Sequence, residues 1–169
     1  MNKFILTLLL SLLFASSAAA ALKLNDTAPT FSLRDLDGKE FNLSDYAGST
    51  KKEKGNGVIL SFFASWCAGC RSELPLINSL VDELTGQGIR VVIVDVKEDV
   101  DTIRALLAEL KVDKPVVLMD RYGKTGDNYQ VRFLPTTFFI GADGRVKDII
   151  FGEIKDKHEL TASTGKLLK

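Results

Sequence analysis

The chain has 169 residues, with 22 Lys plus Arg against 22 Asp plus Glu and a single His, so its formal charge is zero. Balanced charge leaves no basic surplus for nucleic acid, and no block of like charge is long enough to act as an interaction tail. With 46% hydrophobic and 26% charged residues and no internal repeat, the composition is that of one domain able to build its own core.

Residues 1–20 read as a segment apart from that domain. Lys3 supplies a short positive start, residues 4–14 are apolar except for Thr7 and Ser11, and residues 16–21 are all small. This is the layout of a secretory signal, with cleavage expected after Ala20 or Ala21. The apolar run is about half of the roughly 20 residues that span a bilayer, so a retained anchor is the lesser alternative. No Cys follows the run, which excludes lipoprotein processing. The expectation is an exported, periplasmic or extracytoplasmic protein whose domain occupies residues 21–169.

In chain order, residues 31–34 and 41–43 predict a hairpin around Asp37-Gly38. Ser44 is a candidate cap for a short helical turn, and residues 49–57, polar, lysine-rich and glycine-punctuated, read as a surface loop. Residues 58–63 are almost continuously apolar, the mark of a strand buried on both faces. Leu74, Ile77, Val81 and Leu84 then line one face of a helix that Gly86 and Gly88 are expected to stop. Residues 90–96 predict a second buried strand. Asp99 or Asp101 is placed to cap a helix with Val100, Ile103, Leu107 and Leu110 on its apolar face. Residues 115–119 read as a short strand and residues 122–131 as a short helix. Residues 136–140 and 145–151 flank Gly141-Ala142-Asp143-Gly144 as a hairpin, and the tail from Lys155 reads as helical. The order predicts an α/β domain with a central mixed β-sheet flanked by helices.

The chain has two cysteines, three apart as Cys67-Ala68-Gly69-Cys70. A bridge closing so short a loop constrains little of the unfolded chain, so stapling is a poor reason for it. In an oxidising compartment such a lone pair points to redox work. The strand–CxxC–helix order puts Cys67 at the first turn of the helix, where unpaired N–H groups and the helix dipole favour a thiolate. Cys70, one turn on, is placed to resolve a mixed disulfide. The alternatives are an inert buried couple or half of a zinc site, but zinc needs more ligands than two cysteines and the distant His158 provide. No metal and no cofactor are expected.

Residues 61–70, Ser-Phe-Phe-Ala-Ser-Trp-Cys-Ala-Gly-Cys, resemble the active-site segment of thioredoxin-like proteins, with Trp66 before the first Cys and Pro75 inside the following helix. Residues 134–140, Leu-Pro-Thr-Thr-Phe-Phe-Ile, resemble the cis-proline segment of the same superfamily. Within it, Trp66, Cys67, Cys70, Arg71, Glu73 and Pro75 match the W-C-x-x-C-[KR]-x-E-x-P pattern of the exported TlpA/ResA-like branch. The resemblance implies a thioredoxin fold with an extra N-terminal β-hairpin. It also implies a protein-disulfide reductase outside the cytoplasm, which in some members serves cytochrome c maturation. By that resemblance Trp66, Leu134, Pro135 and Thr136 bind substrate, with a cis Leu134–Pro135 bond. Leu-Pro by itself is also consistent with a trans proline that starts the next strand.

Glu73 falls one helical turn after Cys70. A partly buried carboxylate there can accept the Cys70 proton and oppose its thiolate; the alternative is a solvated helix glutamate. Where thioredoxins carry a buried Asp six residues before the first Cys, this chain has Ser61, which is no base at neutral pH. Ala68-Gly69 has neither the proline common in reductants nor the histidine of strong oxidants, and the missing histidine leans toward a reductant. The implied partners are disulfide-bearing client proteins and a membrane thiol-electron donor that regenerates the dithiol, with the protein itself a monomer. An oxidant or isomerase using the same site, or a non-catalytic module that holds thiol clients, remains open. Asp95, Glu98, Asp99 and Asp101 lack the spacing of a Ca²⁺ loop and read as a strand exit and helix cap.

Overall fold

The computed structural model describes residues 21–169, so the expected signal segment and its cleavage site lie outside the described residues. Strands β1 (Ser32–Asp35) and β2 (Glu40–Asn42) form the first hairpin. They are followed by β3 (Gly57–Phe63), helix α1 (Ala68–Gly86), β4 (Ile89–Val96), α2 (Val100–Leu110) and β5 (Val116–Asp120). The chain continues through α3 (Lys124–Asn128), β6 (Thr136–Gly141), β7 (Val146–Phe151) and α4 (Lys157–Thr164).

All seven strands join one mixed sheet in the order β2-β1-β5-β4-β3-β6-β7. β3, β4 and β5 run parallel, while β1, β6 and β7 are antiparallel to their neighbours. Every residue of β3 is buried, as its almost continuous apolar run, interrupted only by Ser61, predicts for a strand covered on both faces. Alternation along β3 and β4 then splits the core. Ile59, Phe63, Val91 and Ile93 face α1, α2 and α4, whereas Leu60, Phe62, Val92 and Val94 face Phe41, Tyr129 and Phe138 on the other side. The N-terminal hairpin is not a free appendage: β1 pairs with β5 through Arg34–Met119 and Asp35–Leu118 and extends the sheet.

Several local expectations change in the folded chain. Ser44 caps nothing; it sits inside a 3-10 turn over Leu43–Asp45 anchored by buried Leu43, whose carbonyl accepts from Tyr46 and Ala47. α1 does stop where expected, with Gly86 as its last residue and Gly88 at φ 74° making the turn. Asp99, rather than Asp101, caps α2 by accepting from the Thr102 N–H. The buried face of α2 is Ile103, Leu106 and Leu107, with Val100 and Leu110 only packed at its margin. α3 is shorter than its sequence pattern, five residues ended before Gln130 at φ 54°. Gly57 has a direct steric reason: at φ 147°, a Cβ would stand 2.3 Å from the Ile140 carbonyl oxygen on the paired strand.

Candidate active site

Cys67 is the residue that caps α1, and Cys70 lies in its first turn. The two are joined as a disulfide with their Cα atoms 5.2 Å apart. Cys67 retains 7% exposure while Cys70 has none, so only the first sulfur is open to a partner. The Cys70 N–H donates to Cys67 Sγ at 3.2 Å. Once the bridge is reduced, that donor and the helix terminus both favour negative charge on Cys67.

The Leu134–Pro135 bond is cis. Pro135 lies against the dipeptide between the cysteines: a Cβ on Gly69 would be 3.4 Å from Pro135 Cδ and 3.4 Å from Glu153 Cβ. The segment with the cis bond thus packs within van der Waals reach of the position between the cysteines. Leu134 stands outside β6 and packs its side chain toward the core, while the Pro135 carbonyl accepts from Gly152 N–H at 2.9 Å. Thr136 is buried, and its hydroxyl donates to the Phe133 carbonyl at 2.7 Å, so it braces this turn from inside. Beside the turn lies an open cleft of about 410 Å³ walled by Trp66, Val96, Lys97, Val131, Phe133 and Leu134. Trp66 is 73% and Phe133 70% exposed, and together they form an apolar rim to this cleft.

Glu73 is only 1% exposed, which removes the solvated-helix alternative. Its Oε1 accepts from the Ser61 hydroxyl at 3.0 Å and its Oε2 from the Ile154 N–H at 2.7 Å. Thr137 donates to Ser61 Oγ at 2.9 Å and reaches Glu73 Oε1 at 3.4 Å. Burial pushes the Glu73 carboxyl up to about 7, against these hydrogen bonds, which favour the charged form. The strand position that holds an acid in thioredoxins thus holds the donor Ser61, and the acid enters from the helix. Sequence reading recorded Ser61 only as a departure and did not see Thr137 or Ile154. A polar pair at Ser61 and Thr137, facing each other on two largely apolar strands, is the signal available in the sequence.

A second carboxylate lies near the site without having been singled out for it. Glu98 accepts from the Ser65 N–H at 2.6 Å and from the Ser65 hydroxyl at 2.5 Å, just ahead of Trp66 and Cys67. His158 is exposed on α4.

Comparison with known proteins gives this geometry a lineage. The sequence pattern of the AhpC/TSA family matches residues 24–149. The chain belongs to the AhpC/TSA family. It is a thioredoxin-like, ResA-like member: the thiol-disulfide oxidoreductase ResA of Geobacillus thermodenitrificans is 36% identical over 132 residues, covering 78% of this chain and 71% of that protein. ResA of Bacillus subtilis is 35% identical over 129 residues, covering 76% and 68%. Among solved structures, a provisionally named thiol:disulfide interchange protein DsbE of Chlorobium tepidum superposes with a TM-score of 0.76 at 31% identity. That match covers 88% of this AhpC/TSA-family chain and 100% of the other.

Proposed function

We propose that this protein is an exported protein-disulfide reductase that spends the Cys67–Cys70 dithiol on disulfides of client proteins. The reading rests on one arrangement: a CxxC at a helix head with a buried carboxyl, near neutrality in its pKa, one turn below the second cysteine. In the reduced protein the Cys67 thiolate attacks a client sulfur, forming a Cys67–client disulfide and releasing the other client thiolate, which takes a proton from solvent. Glu73 then accepts the Cys70 proton, and the Cys70 sulfur attacks Cys67 Sγ. The client leaves fully reduced, two electrons richer, and the bridge re-forms. An extended client segment would lie along the Leu134–Pro135 edge, with Trp66 and Phe133 covering its side chains.

Electrostatics support this direction. A strong oxidant stabilises its reduced form by stabilising a thiolate. Here the buried Glu73 carboxylate opposes a Cys70 thiolate, and Ala68-Gly69 offers no histidine to Cys67. Cys67 has the Cys70 N–H and the helix terminus to support its thiolate but no histidine beside it, and a couple that gains less from its thiolate gives its electrons away more readily. Outside the cytoplasm a membrane thiol-electron donor then restores it, and cytochrome c precursors are one client class that the ResA-like resemblance supports.

The test is the equilibrium reduction potential of the Cys67–Cys70 couple. A value near or below about −270 mV supports the reductase, and one near about −120 mV makes the protein a disulfide donor. Cys67→Ser separates catalysis from holding: a reductase loses all turnover, whereas a client-binding module keeps its effect.

A further inference from the structure

The one buried side-chain oxygen among the described residues that has no hydrogen-bond partner is Asp95 Oδ1. Asp95 is the next-to-last residue of β4, on the sheet face covered by α1 and α2, with no exposed surface at all. A bare carboxylate oxygen in that position costs several kcal/mol of lost solvation, so something must occupy it. Its other oxygen accepts from the Glu98 N–H at 3.1 Å, which folds the Glu98 side chain back over the strand end. The backbone bond holds Glu98 at the same strand end as Asp95, and burial together with the nearby Glu98 and Asp120 charges raises Asp95 toward its protonated form; a proton there gives Oδ1 a hydrogen to direct at the Glu98 carboxylate. Two facing carboxyl groups sharing one proton form a single strong, charge-assisted hydrogen bond. The proton belongs on the more deeply buried member, Asp95, and the remaining charge on Glu98, which spends it on both donors of Ser65.

We propose that Asp95 and Glu98 share one proton and together clamp the Ser65 turn, making them positioning residues for Trp66 and Cys67. The inference goes beyond the reductase reading and rests on it only for the consequence that a held turn presents Cys67 and the Trp66 rim to a client. Two cations, Lys97 and Arg121, line an open cleft with Glu98, but both are exposed and neither forms an ion pair with Asp95 or Glu98 among the described residues. Glu98 and Asp120 are the charges acting on Asp95, and both favour its proton, as does its burial, which lifts it to about 8. On the other elements packed around the end of β4, Arg71 of α1 pairs with Glu109, Asp99 and Asp101 at the start of α2 are exposed, and Lys97 is exposed. Phe63 and Met119, the partners of Asp95 on β3 and β5, are uncharged.

The clamp therefore opens with alkali. Below the Asp95 pKa the shared proton holds Glu98 over Ser65. Above it two adjacent carboxylates repel, Glu98 is the one with access to solvent, and Ser65 loses both acceptors at once.

Trp66 is the only tryptophan in the chain and follows Ser65 directly, so its fluorescence reads the clamp without a label. The experiment is a titration of Trp66 emission and anisotropy from pH 6 to pH 10 in the oxidised full chain, where the cysteines do not titrate. The expected result is a single transition near pH 8 with a fall in anisotropy. Asp95→Asn, whose amide can still donate to Glu98, keeps the acid-side signal and loses the transition. Glu98→Gln loses the transition too, and Ser65→Ala keeps the titration but uncouples it from anisotropy. Glu73→Gln leaves the transition in place, which separates it from the other buried acid. A flat wild-type titration, or a transition that survives in Asp95→Asn, overturns the proposal. A Trp66 signal that differs between chelator-treated and Ca²⁺-loaded protein, and does so only while Asp95 is present, overturns it in favour of a cation at Oδ1. The oxidised protein reports on the clamp whatever its reduction potential, so failure here and failure of the reductase reading are distinguishable.

Discussion

Glu73 and Asp95 are both buried acids on the α1 side of the sheet, and they solve the same problem in different ways. Glu73 is surrounded by donors from β3, β6 and the segment after β7, so its charged form keeps hydrogen-bond support even though burial favours the neutral one. Asp95 receives one backbone N–H and leaves an oxygen bare, so it is held neutral by burial and by two acidic neighbours. Near neutral pH the first can exchange a proton and the second retains its own. Hydrogen-bond supply, more than depth of burial, separates a buried carboxyl suited to proton transfer from one suited to holding a turn.

The sharpest way to break this comparison is Glu73→Gln. Loss of the proton acceptor is expected to slow resolution of the mixed disulfide about 100-fold at neutral pH, with the first attack by Cys67 unchanged. Stopped exchange on non-reducing gels, with the trapped adduct weighed by mass spectrometry, checks it. Rapid resolution would return Glu73 to a structural role.

Stability gives the next largest effect. A carboxyl whose folded pKa is raised binds its proton more tightly in the native state, so it contributes a penalty that grows as pH rises from the unfolded pKa to the folded one. For Glu73 that window runs from 4.5 to about 7, worth about 3 kcal/mol at most. For Asp95 it runs from 3.8 to about 8. Urea unfolding of wild type should therefore show stability falling between these limits. Glu73→Gln should flatten the slope below pH 7, and Asp95→Asn the part that continues to pH 8. Equal slopes in all three proteins would mean that neither acid is neutralised by the fold.

A smaller effect is expected from Thr137→Val, which removes a donor to Ser61 and Glu73. It should cost about 1 kcal/mol and shift the pH dependence of resolution upward, because the charged form of Glu73 loses support. The smallest stability change belongs to Trp66→Ala: with the indole 73% exposed, unfolding should move by less than about 0.5 kcal/mol. KM for a protein client should rise several-fold while small-molecule disulfides react as before.

Much of the frame was readable from local pattern. The two-faced burial of β3, the hairpin turn at Asp37-Gly38 and the Asp99 cap depend on residues a few positions apart, which sequence displays directly. The cysteine pair and its place at the head of a helix were equally plain. The surroundings of the site were not. Glu73 looked as much like a solvated helix residue as a buried acid, because its partners Ser61, Thr137 and Ile154 lie 12, 64 and 81 positions away. Ser65 and Glu98 are 33 apart, and the acidic run from Asp95 to Asp101 read as nothing more than a strand exit and cap.

By itself, then, the sequence determined the order of strands and helices, the redox-capable pair and the family pattern around it, since periodicity and spacing act over short range. Only the tertiary structure decided that β1 would pair with β5, that Pro135 would meet the dipeptide between the cysteines, and which buried acid would be satisfied. Those outcomes depend on which distant donors the sheet brings within hydrogen-bond reach, and on how much water the packed helices exclude.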